Sequence, residues 1–172
     1  GDVENAVNET VKRFGHLNYA FNNAGIEGPQ TSTTDCTEDD WNRVIDINLK
    51  GPWLCMKYQI PQMIKQGSGG AIVNCASIAG LTGFEGIPAY VASKHGVVGL
   101  TKAAALETAK HKIRVNAVCP GVIETSMIER FKHGEAQALK QLVDGEPLGR
   151  IGHPSELANG VLWLCSSHST FV

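Results

Sequence analysis

Tyr90 and Lys94 stand four residues apart near the start of a helical stretch, and Ser77 lies thirteen residues upstream of the tyrosine at a strand end. Residues four apart share one helix face, so the Lys94 ammonium can sit beside the Tyr90 phenol. A free phenol titrates near ~10, too high for easy proton exchange at neutral pH. A neighbouring cation favours the ionised phenol and lowers that value. The spacing therefore suits a general acid/base acting on an alcohol or a ketone.

The elements that would position these groups follow from periodicity. Apolar residues at Val3, Ala6, Val7, Val11 and Phe14 predict a helix over 2–14, ended by Gly15. A short buried strand is expected over 17–21, running into Asn22-Asn23-Ala24-Gly25. Thr37 followed by three acids reads as a helix N-cap. The helix it opens carries Asn48 on its apolar stripe, as either a satisfied structural amide or a site residue. Gly51-Pro52 is expected to kink that element before a second helical run over 53–65. The near-continuous apolar run 71–76 predicts a strand buried on both faces, and it delivers Ser77. A helix over 89–109, poor in charge and rich in small residues, should be buried on more than one side. A third strand, 113–119, stops at Pro120-Gly121. A mixed excursion over 122–144 follows, then a helix from Pro154 to Cys165 with Leu157, Val161, Leu162 and Leu164 on its apolar side.

Strands alternating with helices predict an α/β fold, a doubly wound parallel sheet. Such sheets bind ligands beyond the carboxyl ends of their strands. Here those ends bring Asn22–Gly25, Ser77 and Pro120-Gly121 to one edge.

Bulk properties exclude several alternatives. A chain of 172 residues suits a single domain, and 42% hydrophobic with 19% charged residues is a globular balance. A net charge of −2 with scattered basic residues gives no footprint for nucleic acid. No run approaches the ~18 consecutive apolar residues of a membrane span. Five cysteines without CxxC spacing fit reduced thiols of a cytoplasmic protein better than a disulfide or zinc framework, and no metal is expected. Asn8-Glu9-Thr10 matches a glycosylation acceptor by chance, inside a helical pattern.

The ordered set of motifs resembles the short-chain dehydrogenase/reductase family. Asn22-Asn23-Ala24-Gly25 is similar to its NNAG strand end. Asn48, Ser77, Tyr90 and Lys94 match its catalytic four, and Pro120-Gly121-Val122-Ile123-Glu124-Thr125 matches its PG segment. The resemblance implies hydride transfer between NAD or NADP and a hydroxyl/carbonyl pair. Tyr90 would exchange the proton. Lys94 would lower the Tyr90 pKa and hold the nicotinamide ribose, and Ser77 would hydrogen-bond the substrate oxygen. Asn48 would hold a water linking Lys94 to solvent. Asn23, Ala24, Gly25, Pro120, Gly121, Ile123 and Thr125, with Tyr90 and Lys94, would contact the cofactor. Copies would associate as a homodimer or homotetramer through helices 41–65 and 89–109.

Two features depart from the family pattern. The TGxxxGxG loop that cradles the pyrophosphate is absent from the sequence, and so is the last strand. The expectation is a partial Rossmann-like domain of about three strands, 1–172, with an open edge at strand 17–21 and no turnover on its own. Two other readings stand beside it. One is a truncated, non-catalytic interaction or scaffold subunit. The other is a hydrolase using Ser77, His95 and an Asp, although Ser77 lacks the G-x-S-x-G elbow.

Overall fold

The computed structural model describes residues 1–128, 137, 140 and 143–172. The middle of the expected 122–144 excursion lies outside the described residues.

Helix α1 spans Asp2–Phe14, with acids in its first turn and Lys12 and Arg13 in its last, as the helix dipole favours. Gly15 closes it in the left-handed conformation, φ 82°, which a residue without Cβ adopts freely. Strand β1, Tyr19–Asn22, follows. The expectation of a buried strand here is corrected: Tyr19 is 60% and Phe21 41% exposed. Only Ala20, between them, packs on the core. The expected open edge is present, since β1 pairs only with β2 among the described residues.

Thr37 caps helix α2 (Glu38–Ile45), its Oγ1 accepting from the Asp40 N–H. One π-helical turn, Asp46–Lys50, leads without a break into α3, Gly51–Gln66. The kink expected at Gly51-Pro52 is not an interruption, because Gly51 keeps right-handed helical dihedrals. The irregularity falls one turn earlier. Pro52 has no N–H to give the carbonyl four residues back, that of Asn48, and the π turn straddles that position. π turns of this kind often mark functional sites.

Strand β2, Gly70–Cys75, is the middle of three parallel strands in the order β1-β2-β3, with β3 at Ile113–Val118. Its residues 71–74 are all buried, as the apolar run predicts. Consecutive side chains point to opposite faces, and the core divides accordingly. Ile72 joins Val7, Met56, Met63, Ala104 and Ile113 under α1, α3 and α4 (Pro88–Thr108). Val73, on the other face, meets Val161 and Leu164 of helix α5, Pro154–Cys165. Each such Val, Leu, Ile or Met side chain contributes about 1.5–3 kcal/mol on full burial. In α5, Leu162 is 67% exposed, so its expected place on the apolar side is corrected.

One polar network crosses this core. Asn74, fully buried, accepts from Asn22 at 2.8 Å and donates to Thr101 at 2.9 Å. Asn22 and Gln59 exchange reciprocal amide bonds of 3.2 and 2.9 Å. The amides thus fix β1 and β2 against α3 and α4 just beneath the strand ends. No helix among the described residues is long and apolar enough to cross a membrane.

Candidate active site

The three parallel strands end on one side. Ser77 follows β2 with extended backbone, and its Oγ accepts from the Ala79 N–H at 3.1 Å, capping a 3-10 turn over Ile78–Gly80. That bond uses an acceptor site of the hydroxyl and leaves its O–H to donate. The Ile78 N–H donates to the Pro120 carbonyl at 2.8 Å, tying the Ser77 turn to the end of β3.

Tyr90 and Lys94 sit on the first turns of α4, where Pro88 occupies a starting position it favours. A cavity of about 370 Å³ brings them together with Ser77, Asn23 and Gly25 from the other strand ends. Pro120, Gly121, Ile123 and Thr125 form its opposite wall. Of the residues expected from sequence, Ala24 and Asn48 do not line it. A larger hollow, about 520 Å³, adjoins across Gly25, Ser126 and Met127 but contains none of Ser77, Tyr90 or Lys94.

Lys94 is 4% exposed, and its Nζ donates to the Cys75 carbonyl at 2.8 Å. The same ammonium lies 5.5 Å from the centre of the Tyr90 ring. Burial pulls the Lys94 pKa down, while the thiols of Cys75 and Cys119 push it back up. The Tyr90 phenol lies above its ordinary value. Burial is the largest cause, Cys75 and Glu27 add to it, and hydrogen bonding with Ser77 opposes it. In the chain as it stands, Ser77 rather than Lys94 draws the phenol downward. The expectation that Lys94 lowers Tyr90 is not met here: burial outweighs what opposes it, and the phenol lies above its ordinary value. Burial also raises the thiol of Cys75, with Lys94 opposing, and that of Cys119.

Asn48 lies in the π turn ahead of α3. It is 1% exposed and its side chain is fully engaged. Oδ1 accepts from the Ile26 N–H at 2.8 Å, and Nδ2 donates to the Ile26 carbonyl at 2.7 Å and to Ser93 Oγ at 3.2 Å. Its amide pins the loop after β1. Gly25 passes close by: a Cβ there would lie 3.4 Å from Asn48 Oδ1 and 3.5 Å from Lys94 Nζ.

Several lining residues escape motif reading. Cys75 ends the central strand, Ala76 follows it, and Ser126 comes from just beyond the PG segment. Leu157 also lines the cavity. It lies one helical turn before the buried Val161, and that i, i+4 stripe was the available signal. The hydrolase arrangement does not assemble. Among the described residues no histidine lines the cavity, and His95 Nδ1 lies 3.0 Å from the Val91 carbonyl.

Comparison with known proteins bears on this geometry. Residues 1–172 match the family described as Enoyl-(Acyl carrier protein) reductase. Cyclohexanol dehydrogenase of Acinetobacter sp. (strain SE19) is 48% identical over 99% of this chain and 65% of its own length. A 2,5-dichloro-2,5-cyclohexadiene-1,4-diol dehydrogenase of Sphingobium indicum is 42% identical, over 99% of this chain and 68% of its own. The chain thus spans about two thirds of the length of these relatives. The crystal structure of levodione reductase superposes with a TM-score of 0.95 at 38% identity, covering 99% of this chain and 67% of that one. ElxO with NADP bound (TM-score 0.92, 36% identity, 99% of this chain and 68% of that one) is also similar. So is carveol dehydrogenase from Mycobacterium avium with NAD (0.90, 31%, 99% and 66%).

Proposed function

The chain belongs to the short-chain dehydrogenase/reductase family, and on that premise we propose that it carries the proton-transfer site of an NAD(P)-dependent oxidoreductase interconverting a secondary alcohol and a ketone. The observation that carries this reading is the meeting of Ser77, Tyr90 and Lys94 with the 120–125 turn around one cavity at the strand ends.

The cavity suits a nicotinamide nucleotide. The Gly25 main chain approaches without a Cβ, Ile123 offers an apolar surface, and Thr125, Tyr90 and Lys94 offer hydroxyl and ammonium groups. The bound nicotinamide supplies hydride donation or acceptance. Asn23, Gly25, Pro120, Gly121, Ile123 and Thr125 are the residues we assign to holding it, with Tyr90 and Lys94 on the ribose side. The protein's own part is orientation and the proton.

In reduction the neutral Tyr90 phenol gives its proton to the substrate oxygen, and its raised pKa keeps it charged with that proton at neutral pH. In oxidation the phenolate accepts the alcohol proton, a form that grows as pH rises. The Ser77 O–H donates to the same oxygen and stabilises charge developing there. The group at Asn48 suited to hold a relay water is its carbonyl, which Pro52 leaves without the usual helical donor; the side-chain amide is already bonded to Ile26.

For substrate we assign a six-membered alicyclic alcohol. Two relatives are named for such rings, and Ile123, Met127, Ile128 and Leu157 give the cavity apolar walls. Cyclohexanol oxidation with NAD⁺ and NADP⁺, followed at 340 nm in the complete protein and in its Tyr90→Phe variant, tests the assignment. Turnover surviving that substitution removes Tyr90 from the role given to it. The sequence offers no glycine-rich pyrophosphate loop, so the 172 residues assayed alone should be silent. Association of copies through helices 41–65 and 89–109, where Trp53 is 44% and Leu106 83% exposed, is part of the same proposal. Light scattering of the purified protein checks it.

A further inference from the structure

The turn that walls the cavity opposite Tyr90 is held at both ends. On one side the Pro120 carbonyl accepts from Ile78, next to Ser77, at 2.8 Å. On the other, the chain returning at residues 146–152 closes onto residues 122–124. Gly152 N–H donates to the Val122 carbonyl at 2.9 Å, and Glu124 N–H donates to the Gly152 carbonyl at 2.8 Å. These tethers are main chain to main chain. Glu146 adds one made by a side chain: its Oε1 accepts from the Val122 N–H at 2.7 Å.

The carboxylate lies against Gly121 so closely that no side chain fits between them. A Cβ on Gly121 would fall 2.8 Å from Oε2 and 2.9 Å from Cδ, closer than real Cβ contacts come. Gly121 has no positive φ to explain it. Its lack of a side chain is what admits the carboxylate. A charged acceptor on a backbone N–H makes a stronger bond than a neutral one, and this bond sits one residue from Gly121 and one from Ile123, both in the cavity wall.

We propose that Glu146 is a positioning residue of the active site, acting through the Val122 N–H to hold the 120–123 wall at its working distance from Ser77 and Tyr90. Its bearing on turnover rests on the dehydrogenase reading above; the tether itself does not. Losing the bond lets Gly121 and Ile123 drift, and displacements on the order of 1 Å in a site cost up to about 10²-fold in rate. A glutamine keeps an oxygen that can accept, whereas alanine keeps none.

The test uses the complete protein and its Glu146→Gln, Glu146→Ala and Gly121→Ala variants. Amide hydrogen exchange without ligand should show residues 121–123 protected in the wild type and in Glu146→Gln, and exposed in Glu146→Ala. Gly121→Ala should behave like Glu146→Ala, because its new methyl evicts the carboxylate. Steady-state kinetics should then show KM for NAD(P) rising about tenfold in Glu146→Ala as the displaced wall loses its fit to the cofactor, with Glu146→Gln near wild type. Equal protection in wild type and Glu146→Ala overturns the tether. Loosened amides with an unmoved KM overturn its role in the site. The exchange result stands whether or not the protein oxidises cyclohexanol, so the two readings fail separately.

Discussion

The Lys94 ammonium donates to the Cys75 carbonyl at 2.8 Å, fastening helix α4 to the end of the central strand. The charge is buried at a cost that appears as a depressed pKa, with desolvation the first cause. Between the folded value and the ordinary lysine value the unfolded chain holds more protons, so stability rises with pH across that window. Lys94→Met removes the titration. Urea melts at neutral and alkaline pH should show the wild type gaining on the variant as pH rises, and turnover by the complete enzyme should fall by about 10²–10⁴.

The Ser77 hydroxyl is the neighbour that draws the Tyr90 phenol down against the upward push of burial. Ser77→Ala should therefore move Tyr90 to a higher titration point, read from tyrosinate absorbance with Tyr90→Phe as the blank. The sign for stability follows. A phenol raised in the fold favours the folded state below its unfolded pKa, and that contribution is lost as pH climbs through the folded value. Unchanged titration in Ser77→Ala removes the proposed coupling.

Gly80 ends the turn that Ser77 caps. A Cβ there would lie 2.7 Å from the Lys94 carbonyl and 3.0 Å from its carbonyl carbon, so α4 must move away. Gly80→Ala should cost about 1–3 kcal/mol, the usual range for overpacking, by chemical denaturation. It should also lower kcat more than it raises KM, because the turn and the helix carry Ser77 and Tyr90 respectively.

Asn48 shows the opposite balance. Asn48→Ala strips three hydrogen bonds and strands the Ile26 N–H and carbonyl, each unsatisfied group costing about 1–3 kcal/mol. Denaturation should report a loss of at least about 2 kcal/mol. Asn48→Asp keeps Oδ1 but puts a carboxylate at the place of the Nδ2 donor, against the Ile26 carbonyl, and should be worse at neutral pH than at pH 4.

Glu156 accepts from Arg150 Nη1 and Nη2 at 2.8 and 2.7 Å and from the His153 N–H at 2.8 Å. These bonds, Arg150 first, bring its pKa to about 2. Side-chain carboxyl NMR should follow the titration there. The start of α5 should keep its cap as pH falls through the ordinary carboxylate range and release it only near that value. Arg150→Met should return the carboxyl toward its usual position.

Much of this was legible in residue order. Period and punctuation located α1, β2, α4 and β3, because buried strands and amphipathic helices write their environments into hydropathy. Ser77, Tyr90 and Lys94 meet around one cavity as their spacing and the strand ends predict. What was hidden depended on which atom meets which. Sequence could place Asn48 on a buried stripe but not bond its amide to Ile26, and it could set Lys94 beside Tyr90 without revealing Cys75 as the nearer claimant. Tyr19 and Phe21 read as core because aromatic strand residues usually are, yet β1 has no neighbour on its outer edge to bury them. Glu146 had no period or motif to announce it. It becomes visible only when the chain returns on Gly121.

Lys94 and Asn48 are both anchored on main-chain atoms, those of Cys75 and Ile26. A peptide group is the same whichever side chain it carries, so such anchors are indifferent to substitution at the residues that provide them. Ile123, Met127, Ile128 and Leu157 are apolar residues of the cavity lining, and substitution there changes the lining itself. On the function proposed above, mutation can therefore remodel the substrate wall while Lys94 and Asn48 keep their moorings. The site divides into a part that can be rewritten and a part that rewriting does not reach, which is where a directed-evolution library should draw its boundary.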